Sequence, residues 1–216
     1  MCRDDSILGC SPLKTVCGSY NQHMNTPRFL QFLDAMDVIV SRAQPESALL
    51  DESEDALKML IAHDDWLPSE FARPDAEKYQ SYALYVDPHA RYSVSSFVWG
   101  PGQGTPVHNH TVWGLVGVLR GAERCEEFPA PDSVTSVAMV SGHEHALLRG
   151  EVDRVSPTIG DWHRVSNGLS DAPSVSIHVY GADIGRVRRS YWNASERCAM
   201  PMVSGYSNDQ PWIAAR

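Results

Sequence analysis

The chain has 216 residues, and its 18 lysines and arginines against 27 acidic residues give a formal charge of −9 at neutral pH. With 43% hydrophobic and 21% charged residues it has the composition of a globular protein, and its length allows a buried core. The acidic balance argues against a nucleic-acid surface, which needs a basic stripe, and no run approaches the ~18 consecutive apolar residues of a membrane span.

Residues 1–25 show no periodicity and read as an N-terminal arm. The start, Met1-Cys2-Arg3-Asp4-Asp5, lacks an apolar signal core, so a cytoplasmic location is expected. Five cysteines (Cys2, Cys10, Cys17, Cys125 and Cys198) without C-x-x-C pairing argue against a disulfide framework. Thr26-Pro27 is a helix-start signal, and Phe29, Leu30, Phe32, Leu33, Met36 and Val40 follow at helical spacing. A second helix is predicted over about 46–63, with Leu49, Leu50, Ala56, Leu57, Leu60 and Ile61 on one face. The acidic run at 51–55 reads as its solvated start. From about residue 82 the texture changes to short runs rich in Val, Tyr, Trp and Ser, at 91–99, 111–119, 152–156 and 174–180, punctuated by Gly, Pro, Asn and Asp. Such runs predict antiparallel strands. The expected architecture is mainly β: a helical lead-in over 26–80, a β-barrel or double sheet over 82–192, and a mixed tail over 193–216, all one domain after the arm.

The most informative segment runs from Gly102 through His108-Asn109-His110. In a strand, residues i and i+2 share a face, so His108 and His110 can reach one ion together. Alone, an H-x-H is equally two solvent-facing histidines. However, the stretch from Gly102 to Gly121 matches the first cupin motif, G-x5-H-x-H-x3,4-E-x6-G, with Gly114 in place of the Glu. Gly160-Asp-Trp-His163-Arg-Val-Ser-Asn167 matches the G-x2-H-x3-N of the second. Together they predict a cupin fold, a double-stranded β-helix or jelly-roll barrel, with His108, His110 and His163 as three neutral imidazole ligands. Losing the Glu keeps the full charge on a divalent ion and leaves positions open, a variant of the facial arrangement of non-haem iron; Zn, Ni or Cu would also suit imidazole. Farther on, Ser176, His178 and Tyr180 alternate with Val175, Ile177 and Val179. That pattern fits either a hydroxyl–imidazole–phenol chain beside the metal or a polar face turned to solvent.

The run W-G-P-G-Q-G-T-P-V-H-N-H-T-V-W-G, the D-W-H ending at His163 and the S-x-H-x-Y ending at Tyr180 together resemble the thiol dioxygenases of cysteine dioxygenase type, and within them the bacterial 3-mercaptopropionate dioxygenases. The resemblance extends from about Tyr82 to Trp192. It implies one Fe(II) on His108, His110 and His163, a catalytic Ser176, His178 and Tyr180, and O2-dependent oxidation of a small thiol to a sulfinic acid. The sequence departs from the mammalian type twice. The cysteine that crosslinks to the active-site Tyr would fall near Gly114-Leu115, so Tyr180 is expected to be uncrosslinked; the substrate-binding arginine would fall near Tyr82. In the bacterial branch a carboxylate-binding arginine follows the Tyr by nine residues, which implies that role for Arg189, with Arg188 on the opposite face. Gln103 is assigned to the pocket mouth, with a turn role as the alternative.

The expected partners are therefore a small thiol substrate and O2, with no nucleic acid and no membrane. The competing readings are another metal-dependent cupin, either a carbon-substrate dioxygenase or an isomerase, and a non-catalytic cupin that binds a small ligand. His143-Glu144-His145 lacks a third ligand by spacing and reads as a solvated hairpin. Trp99, Trp113 and Trp162, beside the motif residues, read as core, with a pocket wall as the alternative.

Overall fold

The computed structural model describes residues 26–131, 139–214 and 216; the N-terminal arm, with Cys2, Cys10 and Cys17, lies outside them. Two helices, α1 (Thr26–Ser41) and α2 (Glu46–Ile61), and a short 3₁₀ turn (Ser69–Ala72) precede ten strands. These are β1 (Gln80–Val86), β2 (Ser93–Trp99), β3 (Gly114–Arg120), β4 (Ala122–Phe128), β5 (His143–Leu148), β6 (Val152–Val155), β7 (Trp162–Asn167), β8 (Ser174–Tyr180), β9 (Arg189–Asn193) and β10 (Cys198–Met202). The strands are antiparallel, in a five-stranded sheet of order β1-β2-β8-β3-β6, a three-stranded sheet β5-β4-β7 and a hairpin β10-β9. Among the described residues no helix is long and apolar enough to cross a membrane.

The larger sheet is buried on both faces, which sets how its alternation must be read. On β8, Val175, Ile177 and Val179 join Val94 and Val98 of β2 in a cluster with Phe29, Leu33 and Met36 of α1 and Leu57, Leu60 and Ile61 of α2. Each such side chain contributes roughly 1.5–3 kcal/mol on leaving water. Gly117 lets α2 approach: a Cβ there would lie 2.9 Å from Ile61 Cδ1. The opposite face of the same strands, with Ser93, Ser95, Phe97, Trp99, Ser176, His178 and Tyr180, is also buried. Period-two polarity here separates an apolar helix-facing layer from a polar barrel interior, not core from solvent.

The acidic run is not a solvated helix start. It lies inside α2, where Ser53 is buried and Asp51 and Glu54 both pair with Arg154 of β6, tying the helix to the sheet edge. The tail after residue 193 is part of the framework as well. β10 pairs with β9, and Trp212 and Ile213 donate backbone N–H groups to Ala83 and Leu84 of β1.

Candidate metal centre

The three histidines meet through one irregular segment. The chain from Gly104 to His110 runs between β7 and β9: His108 and His163 exchange backbone hydrogen bonds of 2.9 and 3.0 Å, while Trp192 N–H donates to Val107 O at 2.7 Å on the other side. The Asn109 side chain fastens the same segment, its Oδ1 accepting from Ser190 N at 2.8 Å. Thr111, just past the second histidine, has φ = 61°, uncommon for a β-branched residue, and its hydroxyl donates to His110 O at 2.6 Å. The result is three buried imidazoles whose ring centroids lie 4.8–4.9 Å apart, with one ligand atom of each within 4.8 Å of the others.

Each ring is oriented by its Nδ1. His108 Nδ1 lies 3.0 Å from Pro106 O, and His110 Nδ1 lies 3.0 Å from Asp161 Oδ1. A carbonyl and a carboxylate can only accept, so both Nδ1 atoms carry the proton and the Nε2 lone pairs are free. His163 Nδ1 faces the buried thiol of Cys125 at 3.8 Å. Burial and the neighbouring imidazoles hold the pKa of His108 and of His110 well below the ordinary value, and burial takes His163 to about 4. Neutral imidazole is the ligand form, and His110 Nε2 is buried with no hydrogen-bond partner among the described residues. An orphaned acceptor inside a ring of three such donors fits one divalent ion.

His108 and His163 border a cavity of about 130 Å³, lined among others by Tyr79, Phe97, Trp99, His178, Tyr180, Arg189 and Met202, while His110 lies behind the Tyr180 ring. A larger open groove of about 610 Å³ between Phe128, Met139 and Trp192 contains none of the three histidines. The Tyr180 ring stacks on His110 at 5.2 Å. His178 Nδ1 lies 2.8 Å from Tyr180 Oη and His178 Nε2 lies 2.8 Å from Ser176 Oγ, so these three form one continuous chain. A Cβ at Gly114 would lie 2.5 Å from Tyr180 Cδ1: the glycine that replaces the motif Glu gives the Tyr180 ring its place.

Arg189 is 7% exposed, and its neighbour Arg188 faces solvent. Nη1 of Arg189 donates to Asn109 O at 3.3 Å, and its Nε has no partner among the described residues. Gln103 is not among the residues lining the cavity: its Oε1 accepts from Gly100 N at 2.7 Å and its Nε2 donates to Asp75 O at 2.9 Å, the alternative turn role. Tyr82 donates to Arg73 O, also away from the cavity.

Sequence reasoning missed Asp161, which orients His110 from two positions before His163. A carboxylate beside a ligand motif was the available signal, since a metal-bound imidazole needs an acceptor for its other nitrogen. It also missed a third partner for His145: Cys125, His145 and Asp153 offer ligand atoms within 4.8 Å of one another, and His145 Nε2 lies 2.7 Å from Asp153 Oδ2.

A β-barrel with three clustered, buried imidazoles beside a small cavity defines a protein of the cupin class with a site suited to one metal ion. The profile of the cysteine dioxygenase type I family matches residues 48–191, two-thirds of the chain, and the protein belongs to that family. Cysteine dioxygenase type 1 of Homo sapiens is 29% identical, and that of Rattus norvegicus 28%, over 93 residues that cover 43% of this chain and 46% of each relative. The chain thus matches about half the length of these relatives. Among solved structures, a cupin 2 domain-containing protein from Halorhodospira halophila has a TM-score of 0.43 at 16% identity, covering 57% of this chain and 77% of that one. The TT1209 protein of Thermus thermophilus has a TM-score of 0.41 at 19% identity, covering 53% and 92%.

Proposed function

We propose that this protein is a non-haem Fe(II) thiol dioxygenase that converts 3-mercaptopropionate and O2 to the sulfinic acid. The observation that carries the substrate class is Arg189: a buried guanidinium in the histidine-lined cavity, with Nε unpaired among the described residues. A buried cation with free donors is complementary to a carboxylate, whose two oxygens its fork can grip. Among the described residues the cavity lining contains no Asp or Glu, so the amine of L-cysteine would find no anion there, and cysteamine would leave Arg189 unpaired. The cavity is also well below the ~300–1,000 Å³ of sites for drug-sized ligands, which favours a short chain over the larger carbon substrates of a rival cupin.

His108, His110 and His163 would hold the ion through Nε2. An Fe(II) ion there would supply thiolate binding and O2 activation. The rest falls to the protein. Arg189 fixes the carboxylate and so the reach of the sulfur, replacing a chance encounter with a positioned one. Phe97, Trp99 and Met202 exclude water from the reacting atoms. Tyr180, held against His110 and steered by His178, presents a hydroxyl to the cavity as hydrogen-bond donor or proton source. The test is O2 uptake by the Fe(II)-reconstituted protein with 3-mercaptopropionate, L-cysteine and cysteamine side by side, sulfinate being quantified. Sulfinate matching O2, highest with 3-mercaptopropionate, is expected. Protein shown to hold iron that consumes no O2 with any of the three refutes the assignment.

A further inference from the structure

We propose that Glu123 is the end member of the Tyr180–His178–Ser176 chain, a positioning residue and proton store whose protonation state sets the direction of the Tyr180 hydroxyl.

Glu123 projects from β4 into the barrel, where it is 1% exposed and both carboxyl oxygens are buried without a partner at hydrogen-bonding geometry among the described residues. The neighbouring charges on its sheet are committed elsewhere: Arg124 turns outward to Glu144, and Arg164 holds Glu126. The polar side chains beside the Glu123 carboxyl are Ser176 of β8 and Trp99 of β2. Of the titratable groups around it, Asp153 of β6 acts on it from the opposite sheet; Glu123 acts in turn on Cys125 of its own strand and on Tyr180 of β8. Its cross-strand neighbours on β5 and β7 are the uncharged Leu147 and Asn167. With no cation to compensate it among the described residues, burial raises its pKa to about 7, so both protonation states are accessible near neutrality.

The donors and acceptors can then be counted. Trp99 Nε1 can only donate, and does so toward Ser176 Oγ at 3.3 Å. A serine hydroxyl has one proton and two lone pairs, and a neutral imidazole has one N–H; burial keeps His178 neutral. If Glu123 is protonated, it donates to Ser176, Ser176 donates to His178 Nε2, and His178 Nδ1–H donates to Tyr180 Oη. The Tyr180 O–H then points into the cavity. If Glu123 is ionised, every bond reverses: Tyr180 donates to Nδ1, Nε2–H donates to Ser176, and Ser176 donates to the carboxylate. Passing from the first arrangement to the second delivers one proton. Tyr180 gives its proton to a base in the cavity, such as bound substrate or water, and takes one from Nδ1. His178 takes one from Ser176, Ser176 takes one from Glu123, and along the relay only Glu123 changes charge.

The bonds from Tyr180 through His178 to Ser176 are a property of the folded protein; the link to Glu123 is the proposed step, and its use in turnover rests on the thiol dioxygenase reading. The test therefore starts without metal. Nitrogen-15 spectra of histidine-labelled, metal-free protein should show His178 as the Nδ1–H tautomer below neutrality and the Nε2–H tautomer above it, with a carboxylic-acid infrared band lost over the same pH interval. In Glu123→Gln the amide NH2 can only donate to Ser176, which still accepts from Trp99, so Ser176 must donate to Nε2, His178 should stay Nδ1–H throughout and the infrared transition should vanish. In the iron-loaded enzyme the same variant should lose an alkaline limb of the kcat profile near neutrality, a change of shape that mere structural damage would not produce. A tautomer that ignores pH in the wild type, or that still switches in Glu123→Gln, overturns the proposal, and the wild-type spectra alone decide it if the variant does not fold. Switching as described in protein that oxidises no thiol would leave the relay standing and remove the functional reading.

Discussion

Replacing Arg189 by Met separates binding from stability, because the two should move in opposite directions. In the ligand-free protein the guanidinium is buried and its Nε is unpaired among the described residues. Desolvation lowers its pKa, so the folded state binds this proton less tightly than the unfolded one. The penalty is present in full at neutral pH, far below either value. An isosteric apolar side chain removes it, and the melting temperature of the substrate-free variant should equal or exceed that of the parent. Catalysis should suffer. Truncating one partner of a desolvated charge pair costs about 2–5 kcal/mol, and with ~1.4 kcal/mol per decade kcat/KM for 3-mercaptopropionate should fall roughly 30- to several-thousandfold. Arg189→Lys keeps the charge but loses the fork and should recover only part of this. The assay pairs thermal unfolding with steady-state O2 uptake, using cysteamine as the control without a carboxylate. A melting temperature clearly below the parent's, or a kcat/KM for 3-mercaptopropionate unchanged in Arg189→Met, refutes the assignment of Arg189 as the carboxylate anchor.

Tyr180→Phe should keep its iron, because the phenol is not a ligand, and lose about 10²–10⁴ in kcat as a proton-donating group is removed; a colorimetric iron assay showing metal loss would contradict this. Asp161→Ala frees His110 to rotate and should weaken metal binding about 10–100-fold, read by competition with a chelator, and an unchanged affinity would count against the orienting role. Gly114→Ala places a Cβ 2.5 Å from Tyr180 Cδ1, so about 1–3 kcal/mol of stability should go with the misplaced ring; unaltered denaturant unfolding together with unaltered turnover would refute it. The metal-free protein should weaken as pH falls. Burial, with the neighbouring imidazoles, depresses His108 and His110, and burial depresses His163 to about 4. The unfolded chain takes up these protons from about pH 6.5 downward, so stability is complete above that value and lost as pH approaches 4. A melting temperature flat across that window would exclude such buried neutral imidazoles.

Strand β8 was legible residue for residue, and the clustering of the three histidines could be read from two motifs because both place them at fixed offsets within short runs. What the sequence left open was the environment of those runs. The alternation Ser176, His178, Tyr180 against Val175, Ile177, Val179 is compatible with solvent on one side; only the helices covering the apolar face and the opposing sheet make both faces interior. Asp161 and Glu123 act across the barrel, on His110 and toward Ser176, and no local pattern encodes a contact between distant strands. The acidic run in α2 was misread for the same reason: its partner, Arg154, lies on β6. Gln103 sits beside the first motif, but its side chain closes the turn from Gly100 and reaches back to Asp75.

Gly114 and Glu123 bear on the same question, namely what holds Tyr180. The glycine leaves no side chain at 114 to which the ring could be bonded, and Cys125, the buried cysteine among the described residues, faces His163. The ring is held by stacking on His110 and by its bond to His178. Neither contact fixes the hydroxyl proton, since a phenol can donate to or accept from an imidazole equally well. Something else must choose the direction, and the next links are Ser176, which is also symmetric as donor and acceptor, and Glu123, which when ionised can only accept. A buried carboxyl with no cation beside it among the described residues is therefore the first group in the chain able to bias the proton. For an uncrosslinked tyrosine in this barrel, the control of its hydroxyl belongs at Glu123.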